Sequence, residues 1–204
     1  MLKLHTFGGA YIARDGQALG GAAAQRRLLA LLAVLATSGE GGVSRDRLLG
    51  LLWPEVDADR ARHALTQALY NARRALKCDD LFVAGSDIRI NASRLTSDVG
   101  EFADAVARAD HAAAAAVYAG PFLDGLFVTG AAELDQWMSV QRMRFASDAA
   151  TSLDALAADA DARGDRVSAV ESRRRRVALD PLDSAAVVRL HEMFPLYWHS
   201  DISE

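Results

Sequence analysis

DADRARHALTQALYNARRAL, residues 57–76, has the pattern of a single amphipathic helix. Apolar side chains recur in it at the i, i+4, i+7 spacing of a buried stripe. They are Ala61, Leu65, Ala68, Leu69, Ala72 and Leu76. We predict a helix over 59–77, with Asp57 or Asp59 capping its N-terminus, and we expect the apolar stripe to pack against a core.

The opposite side of this helix carries cationic, amide, hydroxyl and aromatic side chains. On the opposite side are Arg60, His63, Gln67, Tyr70, Asn71 and Arg74, and Arg62 and Thr66 flank the N-terminal half of the helix. Arginine can bond guanine bidentately, glutamine and asparagine can do so with adenine, and threonine can offer its methyl group to thymine. No carboxylate follows Asp59 on this face. The same residue types are common on solvated helices. The helix alone therefore does not distinguish a face that reads DNA from an ordinary solvated face.

The segments around the helix predict a winged helix. Residues 2–19 alternate apolar and polar residues around two turns, as a small antiparallel sheet does. A helix over 22–37 and a short helix capped by Ser44 come next, and residues 81–90 alternate as a hairpin does. A helix-turn-helix pair followed by a hairpin is the outline of a winged helix. Arg89 in the hairpin would lie near the DNA backbone or minor groove, or would simply be solvated.

From residue 97 onward the sequence is rich in alanine and predicts helices. Asp98 is expected to cap the first of them, and a long helix is predicted over 132–163. Two further helices are separated by Gly-Asp and Asp-Pro turns. Helix pairs joined in this way resemble tetratricopeptide units, of which 153–182 is the clearest.

The predicted fold class is mainly α, with two domains. An α+β winged helix with flanking β-hairpins is assigned to 1–95, and an all-α tetratricopeptide-like domain to 96–194. Residues 195–204 form an off-pattern tail.

Charge is distributed unevenly over the 204 residues, whose net charge is -4. Residues 1–98 contain 13 Lys and Arg against 10 Asp and Glu, whereas the rest contains 10 against 17. A contact with a polyanion is therefore expected in the first half. The run RRRR at 173–176 points around most of a helix circumference. We expect its stems to cover apolar neighbours and its charges to meet acidic groups.

Signatures of enzymes, membrane proteins and secreted proteins are missing from the sequence. The histidines are scattered, Cys78 stands alone and no glycine-rich phosphate loop occurs, so we predict no enzyme, no metal and no cofactor. No apolar run approaches the ~20 residues that span a bilayer. The N-terminus does not resemble a signal peptide, and one cysteine cannot form an internal disulfide. We expect a soluble protein of a reducing bacterial cytoplasm.

Two groups of segments resemble a known family. LHTFGGAYIARDGQAL, QRRLLALLAVLA, VSRDRLLGLLWPE, ARHALTQALYNARRAL and DDLFVAGSDIRIN are similar to the N-terminal DNA-binding domain of the Streptomyces antibiotic regulatory protein (SARP) family. SDVGEFADAV, AAAVYAGPFLDGL, ELDQWMSVQRMRF and ALDPLDSAAVVRL are similar to the bacterial transcriptional activator domain that follows it in that family. The resemblance covers residues 2–190, and LLWPE and YAGPFLDG are its most specific parts.

This resemblance implies an OmpR-like winged helix whose recognition helix is 59–77, joined to a tetratricopeptide-like domain. Such regulators are typically dimeric on direct-repeat promoter DNA and recruit RNA polymerase, and the helical domain assists self-association. The resemblance therefore implies promoter DNA, RNA polymerase and a second copy of the chain as partners.

The last residues depart from the family's pattern. After VVRLHEM the chain ends in FPLYWHSDISE, where the family usually continues through another helix pair, so the resemblance implies a C-terminus that is truncated or out of frame. The aromatic and apolar residues Phe194, Leu196, Tyr197 and Trp198 would cap the end of the helical stack or form a partner site.

The sequence supports two functional hypotheses. The first is a DNA-binding transcriptional regulator, an activator by resemblance, with helix 59–77 in the major groove and hairpin 81–90 as the wing. The second is a protein-interaction scaffold whose winged helix does not bind DNA, which the weak basic excess of the first half favours. A DNA affinity that falls steeply with salt would support the first hypothesis.

Overall fold

The computed structural model describes residues 1–83 and 85–193. Phe194, Leu196, Tyr197 and Trp198, which were expected to cap the helical stack or form a partner site, lie outside the described residues. Across the described residues, none of the helices has the length and apolar character needed to cross a membrane.

The chain is mainly helical, with two small sheets in its first half, and this confirms the predicted fold class. The strands are β1 (Leu2–His5), β2 (Tyr11–Arg14), β3 (Gln17–Ala18), β4 (Val43–Ser44), β5 (Phe82–Val83), β6 (Asp87–Ile90) and β7 (Leu95–Ser97). The helices are α1 (Arg26–Thr37), α2 (Arg45–Leu52), α3 (Ala58–Ala75), α4 (Asp98–Ala107), α5 (His111–Val117), α6 (Ala132–Ala162), α7 (Arg166–Leu179) and α8 (Ser184–His191).

The first sheet has the strand order β3-β2-β1-β7. Its β1, β2 and β3 are antiparallel, as predicted, and the β2–β3 hairpin turns at Asp15 and Gly16, whose φ angles are 50° and 83°. Positive φ at both central residues is typical of the turn that fits the twist of a hairpin. The fourth strand was not predicted: β7 pairs in parallel with β1, with Leu95 opposite Leu2.

The helices α1, α2 and α3 are followed by a hairpin, which is the order of a winged helix. A 3₁₀ turn at Gly21–Ala24 precedes α1, so this helix begins later than predicted. Ser44 caps α2, because its hydroxyl accepts a hydrogen bond from the backbone N–H of Arg47 at 3.3 Å. The hairpin strands β5 and β6 form the second sheet together with β4.

The expectation that Asp98 caps α4 is wrong. Ser97 holds the N-cap position, where its hydroxyl accepts a hydrogen bond from the N–H of Gly100 at 3.1 Å. Asp98 is buried instead, and its carboxylate accepts hydrogen bonds from the N–H of Thr6 at 2.9 and 2.7 Å, from the N–H of Phe7 at 3.1 Å and from the Thr6 hydroxyl. The start of α4 is thereby joined to the chain just beyond β1.

A cluster of aromatic rings joins the first half of the chain to the helical half. The ring centroid of Phe7 lies 5.2 Å from that of Phe102, 4.9 Å from that of Tyr118 and 5.5 Å from that of Phe145. Phe122 lies 5.0 Å from Phe145 in the same cluster. A continuous core therefore crosses the predicted boundary at 95/96, and the division into two domains stays a prediction.

The helices α6, α7 and α8 pack in succession, as helices of a tetratricopeptide-like stack do. The arginine run lies on α7, and the arginines at its two ends meet acidic groups, as expected, whereas Arg175 donates to the carbonyl of Ala115. Arg173 pairs with Asp161, and Arg176 pairs with Asp183 and with Asp154, the latter at 3.3 Å. The Arg173 guanidinium lowers the pKa of the Asp161 carboxyl below its usual range. These arginines hold helices together.

Candidate nucleic-acid interface

The helix α3 is held against the core by the stripe that its sequence predicts. Ala61, Leu65, Leu69, Ala72 and Leu76 are buried, and Ala68 is half-buried. Asp57, the first of the two predicted caps, accepts a hydrogen bond from the N–H of Arg60 at 3.0 Å. At the other end, the Arg14 guanidinium of β2 donates to the carbonyl of Leu76, which joins the C-terminal end of α3 to the first sheet.

All eight polar residues predicted on or beside the opposite face of α3 are exposed. They are Arg60, Arg62, His63, Thr66, Gln67, Tyr70, Asn71 and Arg74. Arg89 is also exposed but lies on β6, where its guanidinium donates a hydrogen bond to the carbonyl of Glu40 at 3.2 Å. The helix therefore brings eight of the nine predicted residues to one element. Contact between these nine residues and DNA stays a prediction.

Two acidic residues at the start of α3 pair with its first arginines. Arg60 lies 3.2 Å from a carboxylate oxygen of Asp57, and Arg62 lies 2.8 Å from one of Asp59. Both arginine side chains remain more than half exposed, so water and salt screen these pairs and make them weak. Both guanidinium groups are therefore accessible to another acceptor. The i, i+3 spacing that allows these pairs is visible in the sequence.

Two hydrogen bonds order the middle of the face, one between two side chains and one from a side chain to the backbone. The amide nitrogen Nε2 of Gln67 donates to Oδ1 of Asn71 at 3.0 Å. The Thr66 hydroxyl donates to the carbonyl of Arg62 at 2.9 Å, which leaves its methyl group as the free part of the side chain. One turn further on, the Arg74 guanidinium lies 5.7 Å from the ring centroid of Tyr70.

Two other cations near this region have structural contacts. Arg73 lies over the ring of Phe82 at 5.6 Å, which connects α3 to the hairpin. Arg27 donates to the carbonyl of Thr129 at 2.9 Å and lies over the ring of Trp53 at 5.7 Å. Because Thr129 belongs to the segment before α6, Arg27 connects the winged helix to the helical half.

The thiol of Cys78, just beyond α3, is a poor nucleophile. Burial and a hydrogen bond to Asp80, 3.5 Å away, raise the pKa of Cys78 above its usual range, which lowers the thiolate fraction at neutral pH. Among the described residues, no three His, Cys, Asp or Glu side chains are grouped as metal ligands.

The pKa of Cys78 predicts how fast it is alkylated. The rate of reaction with iodoacetamide should rise with pH to a half-maximal value above the ordinary thiol value of about 8.5, since only the thiolate reacts. Mass spectrometry after timed quenching measures this rate. Asp80→Asn should lower the midpoint, because it removes a carboxylate beside the thiol. A wild-type midpoint at or below that of free cysteine would contradict the raised pKa of this thiol.

The geometry defines an α+β winged helix joined to a stack of helices. No protein-family model matches the sequence, and no curated protein matches it. Among solved structures, the chain is similar to Mycobacterium tuberculosis EmbR in complex with a low affinity phosphopeptide, with a TM-score of 0.67 and 19% sequence identity. The match covers 94% of this chain and 54% of that one, so this chain spans about half the length of EmbR. The likeness shows an EmbR-like fold.

Proposed function

We propose that the protein is a sequence-specific DNA-binding transcriptional regulator. The observation that carries this proposal is the polar face of α3, which exposes Arg, His, Thr, Gln, Tyr and Asn side chains while the rest of the helix is packed on the core. In a winged helix this face enters the major groove. The β5–β6 hairpin would act as the wing, with Arg89 near the DNA backbone or minor groove.

Each part of the face is suited to a different contact. Arg60, Arg62 and His63 lie in the first two turns of α3, where the helix dipole also favours phosphate. Gln67 and Asn71 present amides, which recognise base edges. Arg74 would contact phosphate, so that its loss weakens binding to all sequences similarly.

The likeness to EmbR supports the class of regulator, because EmbR is a SARP-family regulator. On this proposal the natural partners are promoter DNA and RNA polymerase, the helical half assists formation of a homodimer, and the protein acts in the cytoplasm as an activator. The exposed side chains of Val140 and Met143 on α6 are available for such protein contacts.

The proposal predicts sequence-selective, salt-sensitive binding that depends on α3. Fluorescence anisotropy with duplexes selected from a random pool, at two salt concentrations, measures it. The double variant Arg60→Glu/Gln67→Ala should bind at least about tenfold more weakly, because one bidentate contact alone contributes about 1–3 kcal/mol and the charge reversal adds repulsion.

A matched control comes from the helical half. Arg108→Glu/Gln136→Ala changes the same residue types at exposed positions, one at the C-cap of α4 and one on α6, and it should bind as the wild type does. If the folded wild-type protein does not bind duplex DNA, the DNA-binding proposal is wrong. Salt-tolerant binding to a protein partner would then favour the scaffold hypothesis.

A further inference from the structure

The two amide side chains of α3 are bonded to each other, and this makes them unequal. Gln67 and Asn71 lie one helical turn apart and both are exposed, and Nε2 of Gln67 donates to Oδ1 of Asn71 at 3.0 Å. Neither side chain has another partner among the described residues that would orient it. Their mutual hydrogen bond is therefore what sets the direction of both amides.

The hydrogen bond leaves different groups free on the two residues. A primary amide has two N–H donors and one oxygen with two lone pairs. Gln67 uses one donor and keeps its oxygen together with its second N–H. Asn71 commits its oxygen to Gln67 and keeps mainly its two N–H donors. Of the two amides, only that of Gln67 therefore has, within the described part of the chain, an oxygen without a hydrogen bond next to an N–H without a hydrogen bond.

The edge of adenine in the major groove requires such a pair of groups. Adenine presents the N7 acceptor and the N6 amino donor, and one amide can bond both at once. Gln67 can do so without giving up its bond to Asn71. Asn71 could contact adenine in the same way only by sharing the oxygen that holds Gln67.

We propose that Gln67 recognises an adenine in the operator and that Asn71 is a positioning residue, which orients the Gln67 amide. This inference rests on the proposed function. Its physical basis is pre-organisation: a long glutamine side chain loses rotamer freedom when it binds, and the bond to Asn71 restricts that freedom before DNA arrives. The same bond also supports the helix as an ordinary i, i+4 pair, so the test must separate recognition from helix stability.

The test compares Gln67→Ala, Asn71→Ala and Asn71→Asp by competition between duplexes that differ at one base pair. The wild type should prefer adenine at one position by about tenfold, a value within the range of one bidentate contact. Gln67→Ala should abolish that preference. Asn71→Ala should reduce it several-fold at the same position and leave the other positions unchanged.

Asn71→Asp distinguishes a positioning role from a direct contact between Asn71 and a base. Aspartate keeps the oxygen that accepts from Gln67 and adds a negative charge, so affinity for every duplex should fall while the adenine preference is retained. A merely structural role is tested by Asn71→Ala, which would then change helicity and overall affinity and leave the base preference as in the wild type. Circular dichroism of the free variants provides the helicity.

The outcomes separate this inference from the proposed function. If Asn71→Ala leaves the adenine preference intact, or changes the preference at a position other than the one affected by Gln67→Ala, the two amides act independently and the inference is wrong. It is also wrong if the wild type binds selectively without an adenine-specific position that depends on Gln67. A folded wild type that binds no duplex overturns the proposed function and this inference together.

Discussion

Asp98→Ala should lower the free energy of unfolding by on the order of 4 kcal/mol, since each buried donor left without a partner costs about 1–3 kcal/mol. The substitution removes the acceptor for the N–H groups of Thr6 and Phe7 and for the Thr6 hydroxyl. Water cannot easily replace it, because Thr6 is fully buried and Phe7 is 5% exposed. Urea unfolding followed by circular dichroism measures the change.

Two further variants test the reason for this loss. Asp98→Asn keeps the volume but turns an amide donor toward the donors of Thr6 and Phe7, so it should also be strongly destabilising. Asp104→Ala removes an exposed carboxylate from the same helix and should change stability by less than about 0.5 kcal/mol. An Asp98→Ala protein as stable as the Asp104→Ala protein would refute the assigned role.

Phe7→Ala should cost about 3–5 kcal/mol, the usual range for removing a buried phenylalanine ring. The ring contacts Phe102, Tyr118 and Phe145, which all belong to the helical half. Both halves should therefore lose stability together, in a single unfolding transition at a lower urea concentration. Equilibrium unfolding by urea measures this shift.

The matched control for Phe7 is Phe127→Ala. Phe127 is 54% exposed, so its removal forfeits little buried area and should leave the transition near that of the wild type. Two separate transitions in Phe7→Ala, with only the first one shifted, would mean that the halves unfold independently. That result would contradict the coupling that the aromatic cluster indicates.

Much of the structure of the first half could be predicted because it depends on interactions between residues that are close in sequence. The stripe of α3, the cap at Ser44 and the Asp15-Gly16 turn each depend on neighbours within a few residues, and the structure confirms all three. The exposure of the polar face of α3 follows from the same periodicity. Contact with DNA depends on a partner that the chain does not contain, so those residues stay predicted contacts.

Long-range pairing explains what sequence reasoning missed. The strand β7 is only Leu95–Ser97, which is too short for an alternating pattern, and its partner lies at the other end of the first half. Asp98 has the sequence context of a helix cap, and nothing nearby shows that Thr6, 92 residues earlier, requires a buried acceptor. The bond between Gln67 and Asn71 was missed for a different reason: the spacing allows it, but rotamers decide whether it forms.

The parallel pairing of β1 with β7 also determines when the first sheet can be completed during synthesis. During synthesis β1 emerges first, but its outer edge stays unpaired until Leu95–Ser97 has been added. An unpaired edge offers free N–H and C=O groups to other chains and invites aggregation. The four-stranded sheet therefore cannot form until about half of the chain has been made and Leu95–Ser97 covers that edge.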